Sequence, residues 1–488
     1  MSASFMPMPV EYLRILPEII LSVLGVLIMV LTPLAGVGRK RFFAYLALAG
    51  LGAGLWASVI AYSNPGPAFQ DMLVVDGFAT FFRVIIMVVG LLTVLSSMQY
   101  MRAESPHEGE FYALILFSVV GQSLMAASAE LIMVFIGLEI SSISSYILAG
   151  FLRDDKRNNE SALKYFLLGS FATAFLLYGI AWIYGITGST NLLEIRRVLS
   201  NPDIAPPIAL VGMAAALMFI GFAFKVSAVP FQIWAPDVYQ GAPAPVSAFL
   251  SAGPKAAAFA VFLRVFMTAF DPIKSRWAGY IWATALLTMI VGNFAALTQT
   301  NIKRLLAYSS IANAGYVLVA LAAQSQVGTA AAMFYLAAYA FMQVGAFAVV
   351  THFAGHGEKH VNVEDMAGLA QRQPATAAIL SIFLLSLIGV PLTGGFFGKF
   401  YIFKAALDSH LVWLTVIGLL TTAVAAYYYL RIIVVMYMRE PSEASTGLAP
   451  MTPALGIALW ASVIATFVLG IFPGWVLEFA RRSADLVK

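Results

Sequence analysis

The stretch KVSAVPFQIWAPDVYQGAPAPVSAFLSAGPK, from Lys225 to Lys255, decides how this chain is built. Pro230, Pro236, Pro243, Pro245 and Pro254 fall inside it, and each removes a backbone donor and presses on the preceding helical turn. The flanking sequence is nonetheless apolar enough to lie in a membrane. A second stretch, IGVPLTGGFFGKF from Ile388 to Phe400, interrupts another apolar run with Pro391, Gly394, Gly395 and Gly398. Irregular backbone at membrane depth survives only where protein buries it or a wet cavity hydrates it. Both stretches adjoin a lysine. Broken helices at corresponding places in two halves of a membrane protein point to a repeated transporter unit with its ion path at the breaks.

Outward from these breaks, the 488 residues are 61% hydrophobic and 11% charged, where a soluble protein averages about a quarter charged. Such a chain cannot cover a water-facing surface and is an integral membrane protein. At about 20 residues per span plus a loop, the length accommodates about 14 transmembrane helices. The apolar runs place them at 13–33, 41–62, 77–98, 111–127, 131–150, 161–186, 205–228, 243–270, 277–297, 304–323, 328–353, 374–403, 411–437 and 453–474. The breaks then belong to the seventh and twelfth. The first run is too long for the core of a cleaved signal peptide.

The chain has no cysteine, which excludes disulfides, thiolate zinc sites and cysteine-ligated iron–sulfur clusters. Any redox centre must therefore sit in another chain. A net charge of +4 without a basic block gives no nucleic-acid footprint. An even number of spans puts both termini on one side. Arg39, Lys40, Arg41, Arg102, Arg153, Lys156, Arg157, Lys164, Lys303, Arg304, Lys359, Arg372 and Arg439 fall in alternate connections. They outnumber Arg14, Arg196, Arg197, Lys274, Arg276, Lys404, Arg481, Arg482 and Lys488 on the other side, so both termini are expected outside the cytoplasm.

Arg83, Lys225, Lys255, Arg264, Lys399 and Arg431 remain within the apolar layer. A lysine at the bilayer centre costs about 2.5–3.5 kcal/mol on insertion scales. Arg83 and Arg431, close to helix ends, are expected to extend to the interface. Lys225, Lys255 and Lys399 are not explained that way and are candidates for a functional role. Glu139, in LIMVFIGLEISSISSYILAG, is the acid that lies well inside a helix, with Glu18 and Glu130 nearer the ends. A lone buried carboxylate is protonated or paired, and Lys225 is its expected partner. Such a pair suits a switch, because a second charge brought near either member shifts its pKa. His352, His356 and His360 share a helical spacing, but Gly355 and Gly357 interrupt it and no metal site is expected. GGFFGKF lacks the spacing and the Ser/Thr of a phosphate loop.

Three strings carry a resemblance: FKVSAVPFQIWAPDVYQGAPAPVSAFLSAGPKAAAF, TNIKRLLAYSSIANAGYVL from Thr300, and PLTGGFFGKFYIFKAAL from Pro391. With the count of spans, they resemble over nearly the whole chain the antiporter-like membrane subunits of respiratory complex I, the proton-pumping NADH:quinone oxidoreductase. Within that group the resemblance is to the subunit N branch, counterpart of mitochondrial NADH dehydrogenase subunit 2. The chain lacks the long lateral extension of subunit L, and carries Lys399 where subunit M usually has a glutamate.

The resemblance implies an all-α polytopic protein with two inverted five-helix repeats, helices 4–8 and 9–13, with helices 7 and 12 broken. It divides the chain into an N-terminal three-helix segment (1–110), a first repeat (111–270), a second repeat (271–440) and a last helix with its tail (441–488). By family role, Glu139 is the acid on the fifth helix, Lys225 its partner on broken helix seven, Lys255 the central lysine and Lys399 the terminal carrier on broken helix twelve. The implied activity is proton translocation driven by electron transfer elsewhere. This chain is expected to hold no cofactor, with FMN, iron–sulfur clusters and quinone in partner subunits. Subunits M, K and J, and lipid, are the implied neighbours in a bacterial inner membrane. A subunit of an Mrp-type cation/proton antiporter is the alternative transporter reading. A purely structural membrane subunit is the non-transporter one.

Overall fold

The computed structural model describes residues 7–34, 41–105, 107–446, 448 and 450–485. Arg39, Lys40 and Lys488, which entered the topology argument, lie outside them. A short α1 (Pro9–Arg14) leads into α2 (Leu16–Leu31) and α3 (Arg41–Tyr62), followed by a hairpin of β1 (Gly66–Ala68) and β2 (Leu73–Val75). Next come α4 (Gly77–Glu104), α5 (Glu108–Ala127), α6 (Leu131–Ala149), α7 (Lys156–Thr187) and a short amphipathic α8 (Leu192–Ser200). The middle of the chain forms α9 (Ile208–Val226), α10 (Trp234–Gly241), α11 (Ala244–Thr268), α12 (Lys274–Leu297), α13 (Ile302–Ala322) and α14 (Gln326–Ala354). The remainder is α15 (Leu369–Arg372), α16 (Pro374–Ile388), α17 (Gly394–Asp408), α18 (Val412–Met438), α19 (Glu443–Thr446), α20 (Pro453–Ile471) and α21 (Gly474–Ser483).

Among the described residues, 12 helices are long and apolar enough to cross a membrane. The shorter apolar helices α2 and α16 occupy the first and the start of the twelfth expected spans. The run 374–403, read from sequence as one span, is two helices separated by residues 389–393. Gly389 ends α16 at φ 98, a conformation open to glycine, and Pro391 cannot continue a helix. The proline-rich stretch is more regular than its composition suggests. Its true break is short, residues 227–233, starting at Ser227 with φ 61. Pro243 and Pro245 fall at the cap and first turn of α11, where a missing donor has no consequence. The all-α reading holds except for the small β1–β2 hairpin, which pairs Gly66 with Val75.

Polar caps start several of the long helices, among them α6, which carries Glu139. The Asp76 side chain accepts from Ala79 N at the start of α4, Glu130 from Met133 N at α6, Asn301 from Arg304 N at α13 and Ser325 from Gly328 N at α14. Each satisfies an amide that the helix itself cannot. α11, α13 and α14 are almost wholly covered and form the centre of the bundle, while α3, α7, α9, α12, α18 and α20 turn more than half of their spans outward. The exposed side chains on those outer helices, such as Phe171, Tyr178, Phe294 and Leu420, are the large apolar groups that lipid requires.

Candidate functional site

Lys225 is the penultimate residue of α9, directly before the break. Its Nζ donates to Ser142 Oγ at 2.7 Å and to Tyr146 OH at 3.3 Å, both on α6. It lies 5.3 Å from the centroid of the Tyr146 ring and 5.7 Å from those of Tyr165 and Phe224. Trp234, which stacks on Tyr165 with centroids 4.5 Å apart, donates to Phe224 O at 2.9 Å and so ties the two sides of the break together. Glu139 is half-buried one helical turn before Ser142, and its Oε1 is buried without a hydrogen-bond partner. The expected Glu139–Lys225 ion pair is not formed in this structure. Ser142 occupies the lysine instead, and the carboxylate stands adjacent on the same helix.

Lys255 follows Pro254 in α11 and is 2% exposed. Pro254 has no amide to give the Leu250 carbonyl, and Tyr239 OH of α10 donates to that oxygen at 3.2 Å. Lys255 Nζ crosses to α13 and donates to Ser310 Oγ at 2.5 Å and Ser310 O at 3.0 Å. From there a row of buried polar side chains leads onward. Ser309 hydrogen-bonds Tyr429 OH, and Asn313 Nδ2 donates to Ser309 O at 2.9 Å. Tyr335 OH donates to Asn313 Oδ1 at 2.5 Å. The Tyr428 ring lies 4.4 Å from that of Tyr429, and its hydroxyl donates to Asn293 Oδ1 at 3.1 Å. Asn293 Nδ2 donates to Tyr316 OH at 3.3 Å.

The row ends at Lys399, 5% exposed on α17, with its Nζ 4.6 Å from the centroid of the Tyr316 ring. Its Nζ donates to Leu387 O at 2.8 Å and Ile388 O at 3.1 Å. These are the last carbonyls of α16, which have no helical donor and lie at the negative end of the helix dipole. Glycine permits this approach: a Cβ on Gly395 would stand 1.9 Å from Ser386 O. Among the described residues no carboxylate pairs with Lys225, Lys255 or Lys399. A cation held only by hydroxyls and carbonyls can give up its proton without abandoning a counter-ion, and hydroxyls both accept and donate.

Arg83 overturns the expectation that it reaches the interface. It is 0% exposed, and its Nε lies 2.8 Å from Oε1 of Glu18, itself buried. The two face each other across α2 and α4, where neither chain position alone announces a partner. Arg264 is likewise paired, with Nη1 and Nη2 each 3.0 Å from the Asp76 carboxylate that caps α4. Arg431, 29% exposed and 4.0 Å from Glu364, does extend outward. Ser142, Tyr146, Ser310, Asn313 and Tyr316 escaped sequence reasoning, although their polarity inside apolar helices was the available signal. In the loop before α7, Asp155 loses some hydration, yet the Arg157 guanidinium bonded to it outweighs that and holds its carboxyl below the usual range.

Residues 128–425 match the family model described as NADH:quinone oxidoreductase/Mrp antiporter, TM. NADH-quinone oxidoreductase subunit N 1 of Solibacter usitatus is 64% identical over 480 residues, covering 98% of each chain. A chain of respiratory complex I from Thermus thermophilus with bound Aureothin superposes with a TM-score of 0.81 at 34% identity, covering 95% of this chain and 99% of that one. A chain of the Mrp complex from Dietzia sp. DQ12-45-1b shares the fold, with a TM-score of 0.84 at 21% identity over 97% of both chains. The apolar helices and the length match throughout, so the chain belongs to the NADH:quinone oxidoreductase/Mrp antiporter family of membrane proteins, in its subunit N branch, as an antiporter-like subunit of a proton-translocating complex.

Proposed function

We propose that protons move through this chain by way of Glu139, Lys225, Lys255 and Lys399. The observation that carries the reading is that three lysines lie at membrane depth, each held by neutral oxygens and none by a carboxylate. Charge there is expensive unless compensated, so proteins keep it for transport. A charge change arriving from a neighbouring subunit acts on Glu139, whose free oxygen lies one turn from the Lys225 anchor, and alters the proton affinity of Lys225. The proton passes to Lys255 over bound water. It continues over water past Ser310, Ser309, Tyr429, Tyr428 and Tyr316, with the Asn293 amide holding Tyr428 and Tyr316 in place rather than carrying the proton, to Lys399 and leaves.

The driving electron transfer lies in partner subunits that carry FMN, iron–sulfur clusters and quinone. The neighbours on this reading are subunit M and small subunits such as K and J, in a bacterial inner membrane with both termini periplasmic. The repeats at 111–270 and 271–440 are supported by two matching bridges, Glu130 with Asn191 and Asn301 with Asn362, each fastening the first residue before a helix to a later loop. Mrp-type antiport shares the fold alone, and predicts Na⁺-dependent transport in vesicles without NADH. The test is a pair of variants, Lys225→Ala and Glu139→Gln, in assembled complex. Both lower NADH:quinone reductase activity and proton pumping while assembly persists. Full pumping in both would sink the proposal.

A further inference from the structure

Away from the lysine row, a carboxylate that the proposed path does not use joins four elements. Glu358 sits in the loop after α14, between Gly355 and Lys359. Its own φ is 48, that of Gly355 is 66 and that of Gly357 is 69, so the chain folds tightly back on itself at a backbone conformation costly for a glutamate. That conformation carries the carboxylate inward. Glu358 Oε1 accepts from Ala244 N at 2.6 Å and from Tyr100 OH at 2.8 Å. Its Oε2 accepts from Lys303 Nζ at 2.6 Å, and Lys303, fully buried, also donates to Ala242 O at 2.6 Å. The loop is held from outside by Glu104, which accepts from Gly357 N at 2.7 Å, and by Arg157, which donates to Gly357 O at 3.2 Å.

Ala244 is the first residue of α11 and Lys303 the second of α13. One carboxylate therefore ties together the ends of the two helices that meet further along at Lys255 and Ser310. α11 and α13 otherwise touch only sparsely, each packing chiefly on α14, α4, α10 or α12. The far end of α11 is pinned separately by the Arg264–Asp76 pair. The height of Lys255 against Ser310 is thus set by the shared neighbours α14 and α10 and by clamps at the helix ends rather than by packing between the two helices.

We propose that Glu358 is a positioning residue for the central lysine, fixing the register of α11 against α13 so that Lys255 Nζ meets Ser310. This rests on the reading of Lys255 as a proton relay. In the assembled complex, Glu358→Ala lowers NADH-driven proton pumping about fivefold, the equivalent of about 1 kcal/mol or one ordinary hydrogen bond lost at Lys255. It also displaces the pH profile of quinone reductase activity in the same direction as Ser310→Ala. Glu358→Gln, which keeps an acceptor for Ala244 N and Tyr100 but turns an amide donor toward Lys303, restores part of the rate. The double variant Glu358→Ala with Ser310→Ala is no worse than the poorer single one, because both act on one contact.

An unshifted pH profile in Glu358→Ala, or additive losses in the double variant, would overturn the proposal. Failure of both Glu358→Ala and Glu358→Gln to assemble would also overturn it, by reducing Glu358 to a structural brace. Lys255→Ala, run alongside, separates the two claims. If it pumps normally the relay reading falls. If it does not pump while Glu358→Ala retains the wild-type profile, only the positioning role falls.

Discussion

The two broken helices hold their lysines in opposite ways. At the first break Lys225 is half-buried, donates to side-chain hydroxyls of a neighbouring helix, and stands among aromatic rings with a free carboxylate one turn away. At the second, Lys399 is nearly inaccessible and donates to main-chain carbonyls at the end of its own broken helix. A hydroxyl can rotate away or be replaced by water, whereas the terminal carbonyls of α16 stay where the helix puts them. On the proposed path, the first site suits a response to a neighbouring charge and the second suits receiving a proton at a fixed place.

The halves also differ at one matched position. Glu130 and Asn301 both cap the helices α6 and α13 and both make a bridge to a later loop. Counted from those caps, Glu139 and Ser310 occupy the same place, as do Ser142 and Asn313. Where the first half has an acid beside its lysine, the second has the serine that holds Lys255. The middle of the path therefore carries no fixed counter-charge, which would trap the proton there.

That comparison can be broken in several places. The largest effect belongs to Lys399→Ala and to Ser310→Asp. The first removes the terminal carrier and leaves two carbonyls unpaired, and the second gives Lys255 a buried counter-ion. Each lowers proton pumping in vesicles at least about tenfold, the equivalent of one charged hydrogen bond near 1.5 kcal/mol. Wild-type pumping in Ser310→Asp would show that a counter-charge in the middle is harmless. Next comes Gly395→Ala, whose methyl meets the Ser386 carbonyl. Overpacking of this kind costs about 1–3 kcal/mol, read as a lower melting temperature of the complex. The break after Lys225, residues 227–233, contains no glycine, so an equal loss from Ala228→Val would erase the contrast between a rigid and an adaptable site.

A smaller effect is expected from Ser310→Ala, about threefold in NADH:quinone reductase activity, because the Ser310 carbonyl remains to hold Lys255. The smallest is Ser142→Ala, less than about twofold, since the half-buried Lys225 retains Tyr146 and a water can take the place of the hydroxyl. A larger loss in Ser142→Ala than in Ser310→Ala would reverse the assignment of which end is adaptable.

Much of this was legible in the residues. Prolines and glycines inside apolar runs located both breaks, and the scarcity of charge singled out Glu139, Lys225, Lys255 and Lys399. What each lysine touches was not legible. Ser142 and Ser310 look like the many serines that bond back to their own helix, as Ser144 does to Ile140 O, and only the tertiary arrangement that brings Lys225 to α6 and Lys255 to α13 selects them. Arg83 misled for the same reason. A position near a helix end suggested escape to the interface, but α2 covers it with Glu18. Glu358 does not stand out among the charged residues after α14, because nothing in HGEKH foretells a backbone turned inward at three residues.

The central claim is that the two ends communicate through Lys255, which has no carboxylate partner and lies between them. The most direct measurement is NADH-driven acidification of inverted membrane vesicles carrying assembled complex with Lys255→Ala, read together with NADH oxidation in the same sample. The account predicts that both fall at least about tenfold, because tightly coupled turnover cannot proceed when the path is cut. Acidification and oxidation at wild-type rates, with the complex fully assembled, would contradict it.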